Sequence, residues 1–537
     1  MLDTAPQWYS VLPPLMAVVL AFTTRKLLFS LGVAILLGGV LVAMEENRDN
    51  LLISAMTYTA GYLFDNITSD WNLKVLAFVI AILSMISVII VAGGLKGIVS
   101  YLLPLAKTKR STQIVTAITG LIVFIDDYAN TMIIGSAMRP VTDRHNISRE
   151  KLAFIIDATS APVAGLAVIS TWIGFEVGLF GEVSNTLNLG LDGYTMFFDA
   201  FGFRFYCILM LIFVFANIIS KREFGAMYYA EQRVQSSGKL SADDAKFTAS
   251  RAFSLTTPDD NSVISAKTAL IPFAILFSVL LGGYWVDGNG LHLPASAIFS
   301  FSSWLTVISQ IQNSANILLL SAFAGLLSSI VIALALAKTR VKHVLSAINT
   351  GTTSSFLPVL ILLLAWSLKS VCDDLQTGEY VVTLLSPHLS PLWFPAILFF
   401  IAAITAFGTG TSWGTMSILI PITIPIAYAL DGQSYGLITV ICLGAVLDGA
   451  IFGDHCSPIS DTTIMSSIAA HCDHLHHVKT QMPYSVFIAT IALIAGYLPA
   501  AMGVTPLIAY AAGVLLLVAG LMYFGKKPPV TAKPLSE

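Results

Sequence analysis

A chain of 537 residues that is 56% hydrophobic and 11% charged, with a mean hydropathy of +0.81, excludes a water-soluble globular protein of ordinary composition. The formal net charge of −3 says nothing about partners, because in a membrane chain the placement of Lys and Arg, not their sum, sets orientation; no nucleic-acid partner is expected. Apolar runs of roughly 20 residues recur along the whole length, which matches helices crossing a hydrocarbon core and excludes barrel strands of about half that length. The expected fold class is an all-α polytopic membrane protein of about 11 transmembrane helices. Cys207, Cys372, Cys442, Cys456 and Cys472 are scattered, mostly in apolar runs, and predict no disulfide framework. The N-terminal MLDTAPQWYS lacks the basic region of a signal peptide, so the first span would itself direct insertion.

The first apolar segments run about 11 to 23 and 27 to 44, with Arg25 and Lys26 in the tight turn between them. A basic turn belongs in the cytoplasm, which puts the N-terminus outside and makes 45 to 72, with Glu45, Glu46, Asp49, Asp65 and Asp70 against Arg48, an external loop. A span at 73 to 94 returns to KTKR at 107 to 110. The next apolar segment, 112 to 138, carries Asp126, Asp127 and Asn130 at its middle and is basic at both ends. A crossing would leave one basic cluster outside, so the segment reads as a re-entrant hairpin with IDDYANT at its tip. Irregular backbone at membrane depth is tolerated only against protein or a polar cavity.

From 149 to 180 the chain runs outward again, interrupted at DATSAPVAG, because Pro162 lacks an N–H and disfavours helix at Ala161. A span at 198 to 219 leads to a polar linker, 220 to 265, with Lys221, Arg222, Arg233, Lys239, Lys246 and Arg251. It divides a first repeat, 1 to 219, from a second, 266 to 525, followed by a tail at 526 to 537. Spans at 268 to 286, 314 to 336 and 344 to 370 follow, with an interfacial stretch at 294 to 308 and Lys338, Arg340 and Lys342 inside. The segment 391 to 430 is broken at FGTGTSWGT and lies between loops without Lys or Arg, so it reads as a hairpin dipping from outside. A broken helix at 434 to 478 then crosses inward, and spans at 484 to 500 and 504 to 524 end at Lys526 and Lys527 in the cytoplasm.

The halves match at an offset of 283 residues: Ser84 and Ser87 with Ser367 and Ser370, Pro104 with Pro387, Phe124 with Phe407. Asp157, Ser160 and Pro162 also have counterparts in Asp454, Ser457 and Pro458 after a short insertion. Hairpins dipping from opposite sides make the repeats inverted, the architecture of secondary transporters with a midplane site where the breaks meet.

A dehydrated cation needs several oxygens, and an ionised carboxylate in lipid costs roughly 2.5 kcal/mol or more, so these acids must face protein, an ion or trapped water. Asp126, Asp127 and Asn130 at one tip, and Thr409, Thr411 and Ser412 at the other, supply such oxygens. Asp454, Ser457 and Asp461 follow i, i+3, i+7 spacing, with Asp157 and Ser160 in the first break and Asp448 upstream of Asp454. All twelve are candidates for cation or proton binding, with Na⁺ expected on Asp126, Asp127, Asp454 and Asp461. Burial disfavours an ionised carboxyl and a bound cation favours it, so one carboxylate can hold either a proton or Na⁺.

Blander readings stand beside these. Gly408, Gly410 and Gly414 can be helix-packing glycines, Asp448 a hydrogen-bonded helix-pairing residue, and one of Asp126 and Asp127 a cap for the hairpin. His471, Cys472, His474, His476 and His477 fit no standard zinc spacing; His455, His471 and His474 are candidates for pH sensing instead. Glu176, Arg204 and Lys369 are single intramembrane charges, either paired, snorkelling or functional.

FIDDYANTM (124 to 132), TGTSWGTMSILIPI (409 to 422) and GAIFGDHCSPISDTT (449 to 463) resemble the signatures of the NhaC family of Na⁺/H⁺ antiporters. The resemblance extends over nearly the whole chain. It implies a scaffold similar to the divalent-anion/sodium symporters, elevator-like alternating access, a homodimer in the bacterial plasma membrane, and no enzymatic activity or cofactor. The leading expectation is a proton-driven antiporter expelling Na⁺ through a shared carboxylate site. The alternative is a Na⁺- or H⁺-coupled carrier of a small organic carboxylate or amino acid, its anionic group held by hydroxyls and helix N-termini.

Overall fold

The computed structural model describes residues 7 to 528 except 25, 47 to 49, 246 to 262, 309, 378 to 379, 381 to 382 and 384 to 389. Arg25, Arg48, Asp49, Lys246, Arg251, Pro387 and most of the C-terminal tail lie outside the described residues. The all-α polytopic expectation holds: among the described residues the one extended pairing is an isolated bridge between Glu223 and Lys526. Among the described residues nine helices are long and apolar enough to cross a membrane, or ten if Gly193–Phe201 and Phe205–Ser220, bent by 49°, form one span. Of the expected spans, that at 11 to 23 forms Leu12–Thr24, with 13 residues against the roughly 20 of a full crossing, and that at 149 to 180 is divided among Arg149–Ala158, Ala161–Ala164 and Thr171–Thr186. Ser412–Leu430, in the segment expected as the second hairpin, is itself among the nine.

Two regions differ from the sequence expectation. The segment 45 to 72, expected as an external loop, contains the helix Leu51–Thr68, which packs along Leu27–Glu45. Thr57, Thr59, Asp65 and Asn66 interrupt its apolar run, so a length criterion passes it over. Its inner face is fastened by Tyr62, whose hydroxyl donates to Asp374 at 2.6 Å, and by Asn66 to Ser370 at 3.0 Å. The linker, in turn, begins with a docked helix, Gly225–Ser237. Glu231 there accepts from the Ser148 N–H at 2.9 Å and pairs with Lys109 at 2.6 Å, and Arg233 pairs with Glu150 at 2.8 Å.

Four interrupted elements position the site. The segment expected as the first hairpin comprises Lys109–Ile122 and Asp127–Arg144. Asp126 caps the second arm by accepting from the Ala129 N–H at 2.7 Å, a local alternative to helix that ends the run at the tip. Arg149–Ala158 then stops at Thr159, the single turn Ala161–Ala164 follows with Pro162 near its start, and helix resumes at Thr171–Thr186 under a Ser170 cap. The second hairpin comprises Phe394–Thr409 and Ser412–Leu430; between them Gly410 takes φ +70°, a left-handed turn that glycine adopts without strain, and Thr411 caps the return arm. Leu437–Cys456 ends at Ser457, and Asp461–Ala470 starts under a Ser460 cap. Every break thus exposes a capped helix N-terminus, whose leading N–H groups have no intrahelical acceptor.

Candidate functional site

Each hairpin tip is tied to the break that follows it. At the first, the Asn130 amide donates to the carbonyls of Gly120 (2.8 Å), Val123 (3.0 Å) and Thr159 (3.0 Å), joining both hairpin arms to the first break. A Cβ on Gly120 would lie 2.1 Å from Thr159 Oγ1, so only glycine permits this approach. Ser160 donates to the Asp127 carbonyl at 2.8 Å and lies 2.9 Å from Thr131 Oγ1. At the second tip, Ser457 donates to the Phe407 carbonyl at 2.8 Å, and Gly410 packs against the Ile459 carbonyl.

The halves then meet across the site. Asp127–Arg144 packs along Asp461–Ala470, and the Tyr128 hydroxyl donates to the Asp461 carboxylate. Asp157 accepts from Gln481 Nε2 at 2.6 Å, Ser466 at 3.0 Å and Thr463 at 3.3 Å, while its carbonyl meets His455 Nε2 at 2.9 Å. Asp454 Oδ2 accepts from Thr462 at 3.0 Å. Its Oδ1, and Oδ1 of Asn130, are buried with no hydrogen-bond partner among the described residues. Thr409 is back-bonded to the Thr405 carbonyl at 2.8 Å, Ser412 is buried, and Trp413 stacks on Phe175 with centroids 4.4 Å apart.

Electrostatically the acids form one group. Asp127 is influenced by Asp126 and Asp461, and Asp454 by Asp461 and Asp157. Among the described residues no Lys or Arg is paired with Asp126, Asp127, Asp454 or Asp461, and no three His, Cys, Asp or Glu side chains converge closely enough to hold a metal ion. Neighbouring buried carboxylates without a fixed cation cannot all be ionised at once, so some of them hold a proton or a bound cation. A cavity of about 440 Å³ reaches this group between Lys26, Leu27, Leu357, Thr409, Thr411 and Asp461.

Asp448 stands elsewhere. It receives Arg204 Nε at 2.9 Å, the Tyr206 N–H at 2.6 Å and the Tyr497 hydroxyl at 2.8 Å, and Arg204 reaches on to the Gly165 carbonyl at 2.8 Å and to Glu176 at 3.7 Å. The geometry therefore gives Asp448 the helix-pairing role, with Arg204 joining it to the end of the first break. Lys369 pairs with Asp373 at 2.7 Å and Glu182 at 3.6 Å. Of the histidines, His455 is held between the Asp157 carbonyl and the Tyr206 hydroxyl, and His474 between the Pro458 carbonyl and Ser467. His471 is the left-handed cap of Asp461–Ala470. Tyr128, Thr462, Thr463, Ser466, Gln481 and His477 complete the constellation; of these only His477 stands out in the sequence, within the histidine cluster that fits no zinc spacing. A signal for three of the others does exist: Thr462, Thr463 and Ser466, with Ser467 beside them, make a polar stripe at helical spacing on an otherwise apolar turn.

The Na⁺/H⁺ antiporter family profile matches residues 163 to 499. The chain belongs to this family. It is thereby a multi-pass membrane protein and a secondary active transporter. Over 527 residues it is 28% identical to an uncharacterized protein of Haemophilus influenzae, covering 96% of this chain and 95% of that one. It is 33% identical over 148 residues to the malate-2H⁺/Na⁺-lactate antiporter of Bacillus subtilis, and 32% over 150 residues to the Na⁺/H⁺ antiporter NhaC of Alkalihalophilus pseudofirmus. These two matches span 27% and 28% of this chain, and 30% and 31% of the relatives, so they speak for a shared segment rather than a whole. Among solved structures the Alcanivorax borkumensis YdaH transporter shares the fold, with a TM-score of 0.54 at 13% identity over 83% of this chain and 90% of that one.

Proposed function

We propose that this antiporter-family protein exchanges Na⁺ for H⁺ at one carboxylate site built from both hairpin tips and the second break. Asp454 and Asp461 supply carboxylate oxygens, Asn130 Oδ1 a neutral one, and Asp126 or Asp127 further charge, with Thr409, Thr411 and Ser412 on the entry side. The observation that carries this reading is the pair of buried acceptors, Asp454 Oδ1 and Asn130 Oδ1, that the protein leaves unsatisfied. A buried acceptor without a donor costs about 1–3 kcal/mol, more if charged, which a bound Na⁺ or a proton offsets. Either occupant satisfies the site and each excludes the other, which is sufficient for exchange. Asp157, already surrounded by three donors, serves as a fixed anion beside it. The basic segments support a cytoplasmic C-terminus and an external N-terminus, and two inverted repeats that move the site between the two sides.

A second reading rests on the cavity, where Lys26 and Asp461 offer one cation and one anion in largely apolar walls. It suits a small carboxylate or amino acid as cargo, with Na⁺ as coupling ion. The names of the malate/lactate relative and of the arginine/ornithine antiporter of Halobacterium salinarum, 27% identical over 135 residues, favour the same class. The deciding experiment uses the full chain in proteoliposomes with an internal pH dye and buffers free of organic solutes. Na⁺-dependent proton movement that disappears in Asp454→Asn supports exchange at the shared site. A dye response that needs an added carboxylate or amino acid overturns it in favour of the second reading.

A further inference from the structure

Behind Asp157 lies a histidine pair joined through one hydroxyl. His477 Nδ1 is 2.9 Å and His474 Nδ1 3.1 Å from Ser467 Oγ. The far nitrogen of each ring is also engaged. His474 Nε2 is 2.7 Å from the Pro458 carbonyl, which only accepts, so that nitrogen carries a hydrogen. His477 Nε2 is 2.9 Å from Gln481 Oε1, and Gln481 is fixed in that orientation because its Nε2 donates both to Asp157 Oδ2 at 2.6 Å and to the His455 carbonyl at 2.7 Å. His477 Nε2 therefore carries a hydrogen as well. With both Nε2 atoms protonated, each neutral imidazole would need to accept at Nδ1, yet Ser467 has a single hydrogen to donate. It also lies 2.8 Å from the Thr463 carbonyl, a further acceptor for that hydrogen. The complete network can be satisfied only if at least one of the two rings is an imidazolium.

We propose that His474, Ser467 and His477 form a proton-holding relay that serves the Asp157 end of the exchange site. His474 is half-buried at the start of the helix His474–Ile491, and His477 is fully buried with Nε2 3.9 Å from Asp157 Oδ2. A proton leaves His474 Nδ1 for Ser467 Oγ as the Ser467 hydrogen passes to His477 Nδ1. Ser467 ends neutral, His474 becomes neutral and His477 becomes the cation beside Asp157. Burial, His474 and His455 of the second broken helix oppose a charge on His477, while Asp157 of the first broken helix and Gln481 Oε1 favour it, so the hydrogen-bond count rather than the surrounding charge carries the assignment. Near His474 the chain carries Asp473 and His471, with Arg149, paired to Asp143, and Arg139 acting on His471; His476 on the next turn faces Glu150 and Asp244. Burial, then Arg149 and Arg139, hold His471 below the usual imidazole range. His474 Nε2–H holds the Pro458 carbonyl within the second break in both charge states, so the proton passes without releasing that contact.

The inference rests on the exchange reading for its role but not for its charge, and the tests separate the two. In the full chain labelled with ¹⁵N-histidine, ring-nitrogen spectra at pH 7 are expected to show one imidazolium assigned to His474 or His477 by single His→Gln variants. Two neutral rings at pH 7 overturn the proposal whatever the protein transports. In proteoliposomes, Ser467→Ala is expected to move the pH midpoint of transport by about one unit, a tenfold change in proton affinity, with Ser467→Thr restoring it. An unchanged pH profile in a Ser467→Ala protein that elutes and melts like wild type overturns the relay. If Ser467→Ala does not fold, the wild-type spectrum decides alone.

Discussion

Arg204 and Asp454 are both buried in the apolar interior, and they differ in what satisfies them. Arg204 is enclosed by Asp448, Glu176 and the Gly165 carbonyl, whereas Asp454 keeps one oxygen free. Removing one member of a buried pair typically costs about 3–5 kcal/mol because the other charge is left uncompensated. Arg204→Met is therefore expected to lower the melting temperature of the detergent-solubilised protein sharply and to reduce its yield. Asp454→Asn, which keeps the shape and the Thr462 contact, is expected to melt near wild type while losing Na⁺-dependent proton movement. Equal melting losses in both would contradict the division into a structural and an ion-binding acid. Sequence alone weighed Asp448 both ways, since Arg204 lies 244 positions away and nothing local marks the pairing. Asp454 stood out because glycine, proline and serine surround it, residues that loosen a helix at a place where lipid forbids a loose backbone.

At the scale of elements, the tips are held to the breaks by few contacts, each open to a single change. Gly410→Ala puts a Cβ 2.6 Å from the Ile459 carbonyl at φ +70°, where a non-glycine residue costs about 1–2 kcal/mol before any clash. Weaker Na⁺ binding, measured by isothermal titration in detergent, is the expected outcome, with a melting loss smaller than that of Arg204→Met. Ser457→Ala removes the bond to the Phe407 carbonyl, worth about 1 kcal/mol, and is expected to act in the same direction more weakly. Wild-type Na⁺ binding in both variants would show that the second tip and the second break do not act as one unit. These interruptions were legible because Pro162, Pro458 and the glycines at 408 to 414 break a helix by local chemistry. Leu51–Thr68 was not legible as a helix, because its stability comes from packing on Leu27–Glu45 rather than from an unbroken apolar run.

For the whole molecule, hydropathy was enough to reveal an all-α membrane protein, since lipid leaves the backbone little choice. What it could not supply is the closure of the site across more than 300 positions, by Tyr128 on Asp461 and Gln481 on Asp157. These contacts place acids from both halves in one electrostatic group, and the central claim is that Na⁺ and H⁺ compete for it. The most direct measurement is the Na⁺ concentration for half-maximal exchange in proteoliposomes, taken at a series of pH values. The account predicts that this concentration rises as pH falls, by up to about tenfold per pH unit for competition with one proton, and that Asp454→Asn abolishes exchange. A half-saturating Na⁺ concentration independent of pH, or exchange that persists in Asp454→Asn, would contradict it.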